Sequence, residues 1–139
     1  MIALASLLAS IVISAPWSNG GTIPKRYTCD GANVPPRLTL TPNLRARVVA
    51  VEADDVDAPG GVFVHWLQVG RVRGRNTFGK LGYSGPCPPP GDTPHRYVFH
   101  VYVLRRQPPL RAGFSQSQFR SAIRGHAVAS GSITGRYGR

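Results

Sequence analysis

Glycine and proline are the residues that most limit what this chain can fold into. They occur 16 and 13 times in the 139 residues. Proline has no backbone N–H and interrupts helices and interior strands, while glycine favours turns. The composition therefore argues against a helical bundle and predicts short strands joined by many turns and ordered loops. The length predicts a single domain over residues 1–139 with a substantial core.

Three segments are rich in β-branched and aromatic residues and are predicted to be strands: 47–53, 62–69 and 97–104. Residues 131–137 predict a last strand. The segment 70–94 contains a dense run of prolines, which cannot donate hydrogen bonds in a sheet. We therefore expect it to be a stiff loop outside the sheet.

Side chains alternate between the two faces of a strand, so the strand predictions also assign faces. One helix is predicted over 114–124, with Ser115 as its N-cap and Gly125 as its stop. The expected fold class is therefore mainly β with one short helix near the C-terminus. In the second strand Phe63, His65, Leu67 and Val69 are predicted to share one face and Val64 and Trp66 the other, and in the third Tyr97, Phe99, Val101 and Val103 oppose His100 and Tyr102.

The first 15 residues are almost wholly apolar but lack the basic start of a secretory signal. The run is also shorter than the roughly 20 residues that a membrane-spanning helix needs. Residues 11–13 predict a first buried strand, and residues 1–10 are expected to be irregular or a leader. We expect a cytoplasmic protein, with export as the alternative.

The charge is strongly basic, with 17 Lys and Arg against six Asp and Glu, a net charge of +11. The arginines are scattered and form no dense run, so we expect no specific nucleic-acid binding. The acids are concentrated instead. Four of the six are Glu52, Asp54, Asp55 and Asp57, which indicates that some of them have a function.

Polar groups with useful chemistry occur where strands meet loops. Asp55 and Asp57 follow the first long strand, His65 lies on the next, and His95 and Arg96 precede the third. If these strands are neighbours, the groups converge at one end of the sheet. Carboxylates favour protonated imidazoles, and cationic side chains with loop N–H groups suit an oxyanion. Metal binding and acid–base catalysis use the same residue types and remain alternatives. The sequence contains no nucleophile elbow, metalloprotease helix motif, Walker loop or dinucleotide fingerprint.

The two cysteines, Cys29 and Cys87, both lie in turn-like segments. Their spacing does not match a metal site. We expect two independent thiols, and a disulfide is the alternative if the two loops meet in an oxidising compartment.

A series of short motifs resembles the phosphatidylethanolamine-binding protein family, in its bacterial and archaeal Raf-kinase-inhibitor-like branch. The motifs occur in the family's order over most of the chain. They are NGGTIP at 19–24, YTCDG at 27–31, PP at 35–36, DDVDAP at 54–59, VHW at 64–66, NTFG at 76–79, GYSGPCP at 82–88, HRY at 95–97, GH at 125–126 and GRYG at 135–138.

The resemblance implies a β-sandwich-like core with an anion pocket at one end. Its ligands in the family are phosphate, acetate or phospholipid headgroups. It implies acidic groups and imidazoles in the pocket, walls around them and a glycine in the floor. Carried over by motif, the acidic groups are Asp55 and Asp57 and the imidazoles are His65 and His95. The walls are Pro59, Trp66, Pro88, Pro89 and Tyr97, and the glycine in the floor is Gly91.

The resemblance also implies a binding module and modulator, not an established enzyme. We expect no cofactor and no metal. Possible protein partners are a kinase or a protease, and a homodimer is possible. Inhibition through surface loops and weak hydrolysis by the Asp/His site are the alternative functions. Three departures from the family pattern are Val56 for a usual proline, Leu40 for a usual tryptophan, and a shortened 70–75 segment. The last puts one pocket rim and a dimer surface in doubt.

Overall fold

A six-stranded sheet organises the computed structural model, which describes residues 8–44 and 47–139. Its strands lie in the order β1-β8-β7-β4-β5-β6, and β2 and β3 form a second, two-stranded sheet. The bounds are β1 Ala9–Ser10, β2 Val12–Ser14, β3 Thr39–Thr41, β4 Val48–Asp55, β5 Phe63–Val69, β6 Val72–Arg73, β7 His95–Leu104, α1 Gln116–His126 and β8 Ala127–Tyr137.

The long strands β4, β5, β7 and β8 pair antiparallel, and only the short β1 runs parallel to its neighbour β8. The expected mainly β class is therefore confirmed. The predicted strand at 11–13 corresponds to β2, Val12–Ser14, with bounds shifted by one residue. The predicted irregular segment or leader at 1–10 lies mostly outside the described residues. Among those residues no helix has the length and apolarity needed to cross a membrane.

One face of the large sheet packs against β2, β3 and the segments beside them. The third-strand prediction is confirmed here, because its four apolar side chains all enter this core. Trp17 packs on Phe99 with ring centroids 5.2 Å apart. The buried members include Ile11, Ile13, Trp17, Trp66, Tyr97, Phe99, Val101, Val103 and Ile133.

The opposite face packs against α1, where Phe119 is almost fully buried. Ser115 is the N-cap as predicted, and it forms a capping box with Gln118. The predicted stop at Gly125 is wrong, because the helix continues to His126, whose Nδ1 bonds to the Ala122 carbonyl at 3.0 Å. The chain then passes directly into β8, so no left-handed glycine is needed to end the helix.

The predicted faces of β5 are wrong, and a β-bulge is the reason. Ala53 pairs with Trp66 but Asp54 pairs with Val64, so His65 is an extra residue in β5. The bulge turns Val64 to the α1 face together with Leu67 and Val69. His65 and Phe63 lie instead on the other face. Bulges commonly redirect a side chain beside a functional site in this way.

Segment 70–94 is less irregular than predicted. It begins with a short hairpin in which β6 pairs with the end of β5. Isolated bridges then join Trp66 to Tyr83 and Arg75 to Leu81. Its proline-rich second half is a loop, as expected, and it runs back toward the start of β7.

Candidate functional site

A cavity of about 160 Å³ opens at one end of the large sheet, where β4 ends and β5 and β7 begin. Asp55 is paired in register with both Phe63 and Tyr97, so the end of β4 and the starts of β5 and β7 lie side by side. The predicted convergence of these strands is therefore observed. The cavity is lined by Asp55, Ala58, Pro59, Phe63, His65, Phe78, Cys87, Pro88, Pro89, His95 and Tyr97.

His95 and Asp55 form a buried ion pair at the cavity. The His95 Nδ1 lies 2.7 Å from the Asp55 Oδ2, and the other oxygen of Asp55 accepts the backbone N–H of Asp57 at 2.9 Å. The His95 Nε2 lies 3.2 Å from the carboxylate of Asp92, whose side chain is 42% exposed. These contacts, the Asp55 hydrogen bond first, raise the pKa of His95. Because both ring nitrogens face carboxylates, the protonated ring is favoured.

His65 has the opposite character. It is buried, and its Nδ1 lies 2.7 Å from the backbone carbonyl of Ser84. A carbonyl only accepts hydrogen bonds, so the Nδ1 must carry the proton. Burial lowers the pKa of His65 and favours the neutral ring. Phe63 and Phe78 surround this imidazole, with ring centroids 5.1 and 5.4 Å from it.

The Tyr97 hydroxyl is a buried polar group without a hydrogen-bond partner among the described residues. The residue is only 1% exposed and its ring packs on His65 at 5.3 Å. Burial first, and then the charge and proximity of the Asp55 carboxylate, raise the pKa of Tyr97, so the hydroxyl keeps its proton, although its contact with Asp55 falls outside normal hydrogen-bond geometry. Buried polar groups are normally paired, so this hydroxyl has a hydrogen-bonding capacity that the described chain does not use in normal geometry.

Cys29 and Cys87 form a disulfide, with their Cα atoms 5.4 Å apart. The expectation of two independent thiols is wrong. A separation of 58 residues gave no indication that the two turns meet. The bridge fixes the proline-rich loop to the segment that follows the short 3-10 helix Lys25–Tyr27, and Cys87 itself forms part of the cavity wall.

Asp57 is placed outside the cavity, contrary to the expectation that it joins Asp55 there. Its carboxylate receives two hydrogen bonds from the Arg96 side chain, at 2.7 and 2.9 Å, and one from the Arg96 backbone. Arg96 lowers the pKa of Asp57 to about 2. The pair lines a neighbouring open groove of about 640 Å³, together with Asp92, His95 and Arg136. The turn after β4 separates the two carboxylates, which continued extended chain would have kept together.

Two predicted wall residues also lie elsewhere. Trp66 packs in the core against Tyr83 and Phe99, and it borders a different cavity. Gly91 adopts a positive φ of 88° in the loop before His95 but does not line the cavity. Sequence reasoning missed Ala58, Phe63, Phe78 and Cys87 as lining residues. Phe63 lies two residues before His65 on the same strand, and Ala58 and Cys87 adjoin the predicted residues Pro59 and Pro88, so Phe78 alone among these four had no neighbouring signal.

The clustered acids divide between the two faces of β4. Asp55 faces the cavity, whereas Glu52 and Asp54 are buried on the α1 side, 4% and 5% exposed. Within residues 8–44 and 47–139, no group of three or more His, Cys, Asp or Glu side chains is arranged to hold a metal ion.

A family model described as phosphatidylethanolamine-binding protein matches residues 13–138. The chain belongs to the phosphatidylethanolamine-binding protein family. Structures of the family agree with the fold. A homologue from Chlamydia trachomatis superimposes with a TM-score of 0.84 and 28% identity, covering 94% of this chain and 98% of that one. Escherichia coli YbcL, described as a member of the mammalian family, gives a TM-score of 0.78 and 26% identity, with 94% and 99% coverage.

Sequence relatives within this family carry uninformative names. A UPF0098 protein of Archaeoglobus fulgidus is 37% identical over 94% of this chain, which spans only 52% of that relative's length. A UPF0098 protein of Pyrococcus horikoshii is 34% identical, with coverage of 94% and 77%. The family membership supports a ligand-binding module in general.

Proposed function

We propose that this chain binds a small anion or a phosphate-bearing headgroup in the cavity between β4, β5 and β7. The observation that carries the proposal is the buried Tyr97 hydroxyl beside Asp55, which has a proton to donate and makes no hydrogen bond of normal geometry within the described chain. An anionic oxygen satisfies it. At the same wall the anion takes the place of the exposed Asp92 carboxylate as the acceptor of the His95 Nε2 proton.

The size and lining of the cavity fit a headgroup. Its volume of about 160 Å³ accommodates a phosphate with a short organic group. Pro59, Pro88 and Pro89 form walls that have no backbone N–H to offer, and Phe63 and Phe78 add apolar surface. Phe78 is 46% exposed, so an apolar rim borders the polar interior. A ligand with a phosphate and a short organic group fits this division.

We propose binding without turnover. Both nitrogens of His95 are occupied by carboxylates, so this ring has no free lone pair with which to activate water. Incubation with p-nitrophenyl phosphate should release no nitrophenol above the rate of a His65→Ala variant. Modulation of a kinase or a protease stays a prediction of the family resemblance.

Calorimetric titration with phosphate and phosphoethanolamine tests the binding proposal. Tyr97→Phe removes the orphan donor and His95→Ala removes the charge, and each should weaken binding by about 1.5–3 kcal/mol. Tyr102→Phe and His100→Ala are matched controls, since these residues lie on the same strand and face α1. Unchanged affinity in both site variants would show that the ligand does not occupy this cavity.

A further inference from the structure

We infer that a second cavity, on the α1 face of the large sheet, binds a small amino acid whose ammonium and carboxylate groups are several carbons apart. The cavity has a volume of about 300 Å³, at the lower end of the range for small-molecule sites. Glu52 and Asp54 form its floor, where the ammonium binds. Arg120 and Arg124 form its mouth, where the carboxylate binds.

The floor consists of two carboxyls whose contacts with the rest of the chain are long. The side chains of Glu52 and Asp54 are only 5% and 7% exposed. Glu52 is approached by the Arg120 guanidinium at 3.5 Å and by the Gln116 amide at 3.3 Å, both at the long end of the hydrogen-bond range. Asp54 lies 3.6 Å from His100, and its Oδ1 makes no hydrogen bond of normal geometry within the described residues. Buried carboxyls normally have close partners, so the floor has unused capacity to accept hydrogen bonds.

A shared proton holds these two carboxyls together. Burial first, and then the hydrogen bond and charge of Glu52, raise the pKa of Asp54 to about 8. At neutral pH the pair therefore carries one negative charge and one proton, because two adjacent buried carboxylates repel each other. Strongly perturbed acids of this kind cluster at functional sites.

The other titratable groups that face the pair are His100 and Tyr102 on β7 and Arg120 and Arg124 on α1. Burial lowers the pKa of His100 and raises that of Tyr102, so both rings are neutral at pH 7. The two arginines lie further out. The Arg120 side chain is 58% exposed, and the exposed Arg124 bonds to Ser121 at 3.2 Å. Among the described residues, positive charge is thus present at the mouth and lacking at the floor.

This division of charge identifies the ligand class. An ammonium group brings three N–H donors and a full positive charge to the floor. A carboxylate at the other end of the ligand pairs with the guanidiniums at the mouth, while Phe119 and Ile123 provide an apolar wall for the carbons between. A metal ion fits less well, because in the described ranges no group of three or more metal-ligating side chains is arranged to hold one.

Binding exchanges one proton for the ammonium group. The ligand displaces the proton shared by Glu52 and Asp54, which passes to solvent, and no other bond forms or breaks. Below about pH 8 the ligand must compete with this proton, so affinity rises with pH. Between about pH 6 and pH 8 the rise should approach about tenfold per pH unit.

Calorimetric titration of the full chain with 4-aminobutyrate, butylamine and butyrate tests the inference. We expect 4-aminobutyrate to bind at least about tenfold more tightly than butylamine, and butyrate not to compete with it. In weakly buffered solution at pH 7, a pH-indicator dye should report the release of about one proton per 4-aminobutyrate bound.

Variants at each end of the site have matched controls. Asp54→Asn should abolish the proton release and weaken 4-aminobutyrate binding at least about tenfold, whereas Asp57→Asn, whose carboxylate pairs with Arg96, should leave both unchanged. The double variant Arg120→Gln with Arg124→Gln should remove the preference for 4-aminobutyrate over butylamine. Arg106→Gln changes an exposed arginine that does not line the cavity and should keep the preference.

Failure of 4-aminobutyrate to bind at millimolar concentration, or binding without proton release, would overturn the inference. Unchanged affinity in Asp54→Asn, a substitution that keeps the shape of the side chain, would do the same. Equal affinity for 4-aminobutyrate and butylamine in the unmodified protein would overturn the assignment of the carboxylate to the arginines. Phosphate titration reports separately on the first cavity, so none of these results depends on the anion-binding proposal.

Discussion

Replacing Asp54 by asparagine should stabilise this protein, and more so at higher pH. Asp54 and Glu52 are neighbours on the α1 face of β4, and both are almost fully buried. Burial, together with the carboxyl of Glu52, raises the pKa of Asp54 to about 8. At neutral pH the Asp54 carboxyl is therefore protonated, while Glu52 is approached by Arg120 at 3.5 Å and Gln116 at 3.3 Å.

The sign follows from the direction of the shift. The pKa of Asp54 is higher in the folded protein than its unfolded value of 3.8, so the unfolded chain loses its proton first as the pH rises. The contribution of Asp54 to stability is complete below pH 3.8, is lost between about pH 4 and 8, and stays lost above that. Each pH unit in this window removes about 1.4 kcal/mol.

A pKa raised from 3.8 to about 8 corresponds to an upper bound of about 6 kcal/mol, and we expect about 2–4 kcal/mol to be recovered because asparagine still buries a polar side chain at this position. Asparagine keeps the shape, and its amide can donate to Glu52 in place of the lost carboxyl proton. For a chain of this length, a gain of this size raises the melting temperature by roughly 5–15 °C.

Thermal unfolding followed by circular dichroism at pH 4 and pH 8 measures the effect. The gain of Asp54→Asn should be large at pH 8 and close to zero at pH 4. Asp57→Asn is the matched control: its pKa is lowered to about 2 by Arg96, so its replacement should bring no gain at either pH. A melting temperature for Asp54→Asn that is unchanged at pH 8, or raised equally at both values, would refute the buried-acid reasoning.

Two further predictions concern the pocket loop. Asp92→Asn should tighten phosphate binding severalfold in a calorimetric titration, because the Asp92 carboxylate competes with the ligand for the His95 Nε2 proton at 3.2 Å; weaker binding would contradict this role. The double variant Cys29→Ser with Cys87→Ser should lower the free energy of unfolding, measured in urea, by about 2–5 kcal/mol, because the bridge joins residues 58 positions apart. It should also bind phosphate more weakly, because Cys87 lines the cavity. Unchanged affinity would mean that the loop is held in place by its other contacts.

Much of the fold was predictable because its signals are local. Alternation correctly assigned the core face of β7, and the polar atoms of Ser115 marked the start of α1. The bulge at His65 was not predictable, because inserting one residue into a strand changes pairing without changing composition. The disulfide was missed for a related reason: only the tertiary fold brings Cys29 to Cys87.

The candidate site shows the same division. Asp55, His65, His95 and Tyr97 were named from the sequence and do line one cavity. Asp57 was misplaced because the chain turns immediately after β4, and its carboxylate then meets the Arg96 side chain. Phe78 was missed because its ring reaches the cavity from a loop 13 residues after His65, and spacing says nothing about such contacts.

The division of the acids by β4 makes binding and stability separable by experiment. Asp55 is paired with His95, whereas Asp54 is buried beside the carboxyl of Glu52. The sheet lies between them, and His100, the imidazole nearest to Asp54 at 3.6 Å, faces α1 and not the cavity. Asp54→Asn should therefore raise the melting temperature without changing phosphate affinity. His95→Ala should weaken phosphate binding and have a smaller effect on the melting temperature. A change in affinity in Asp54→Asn would mean that the two faces of the sheet are coupled.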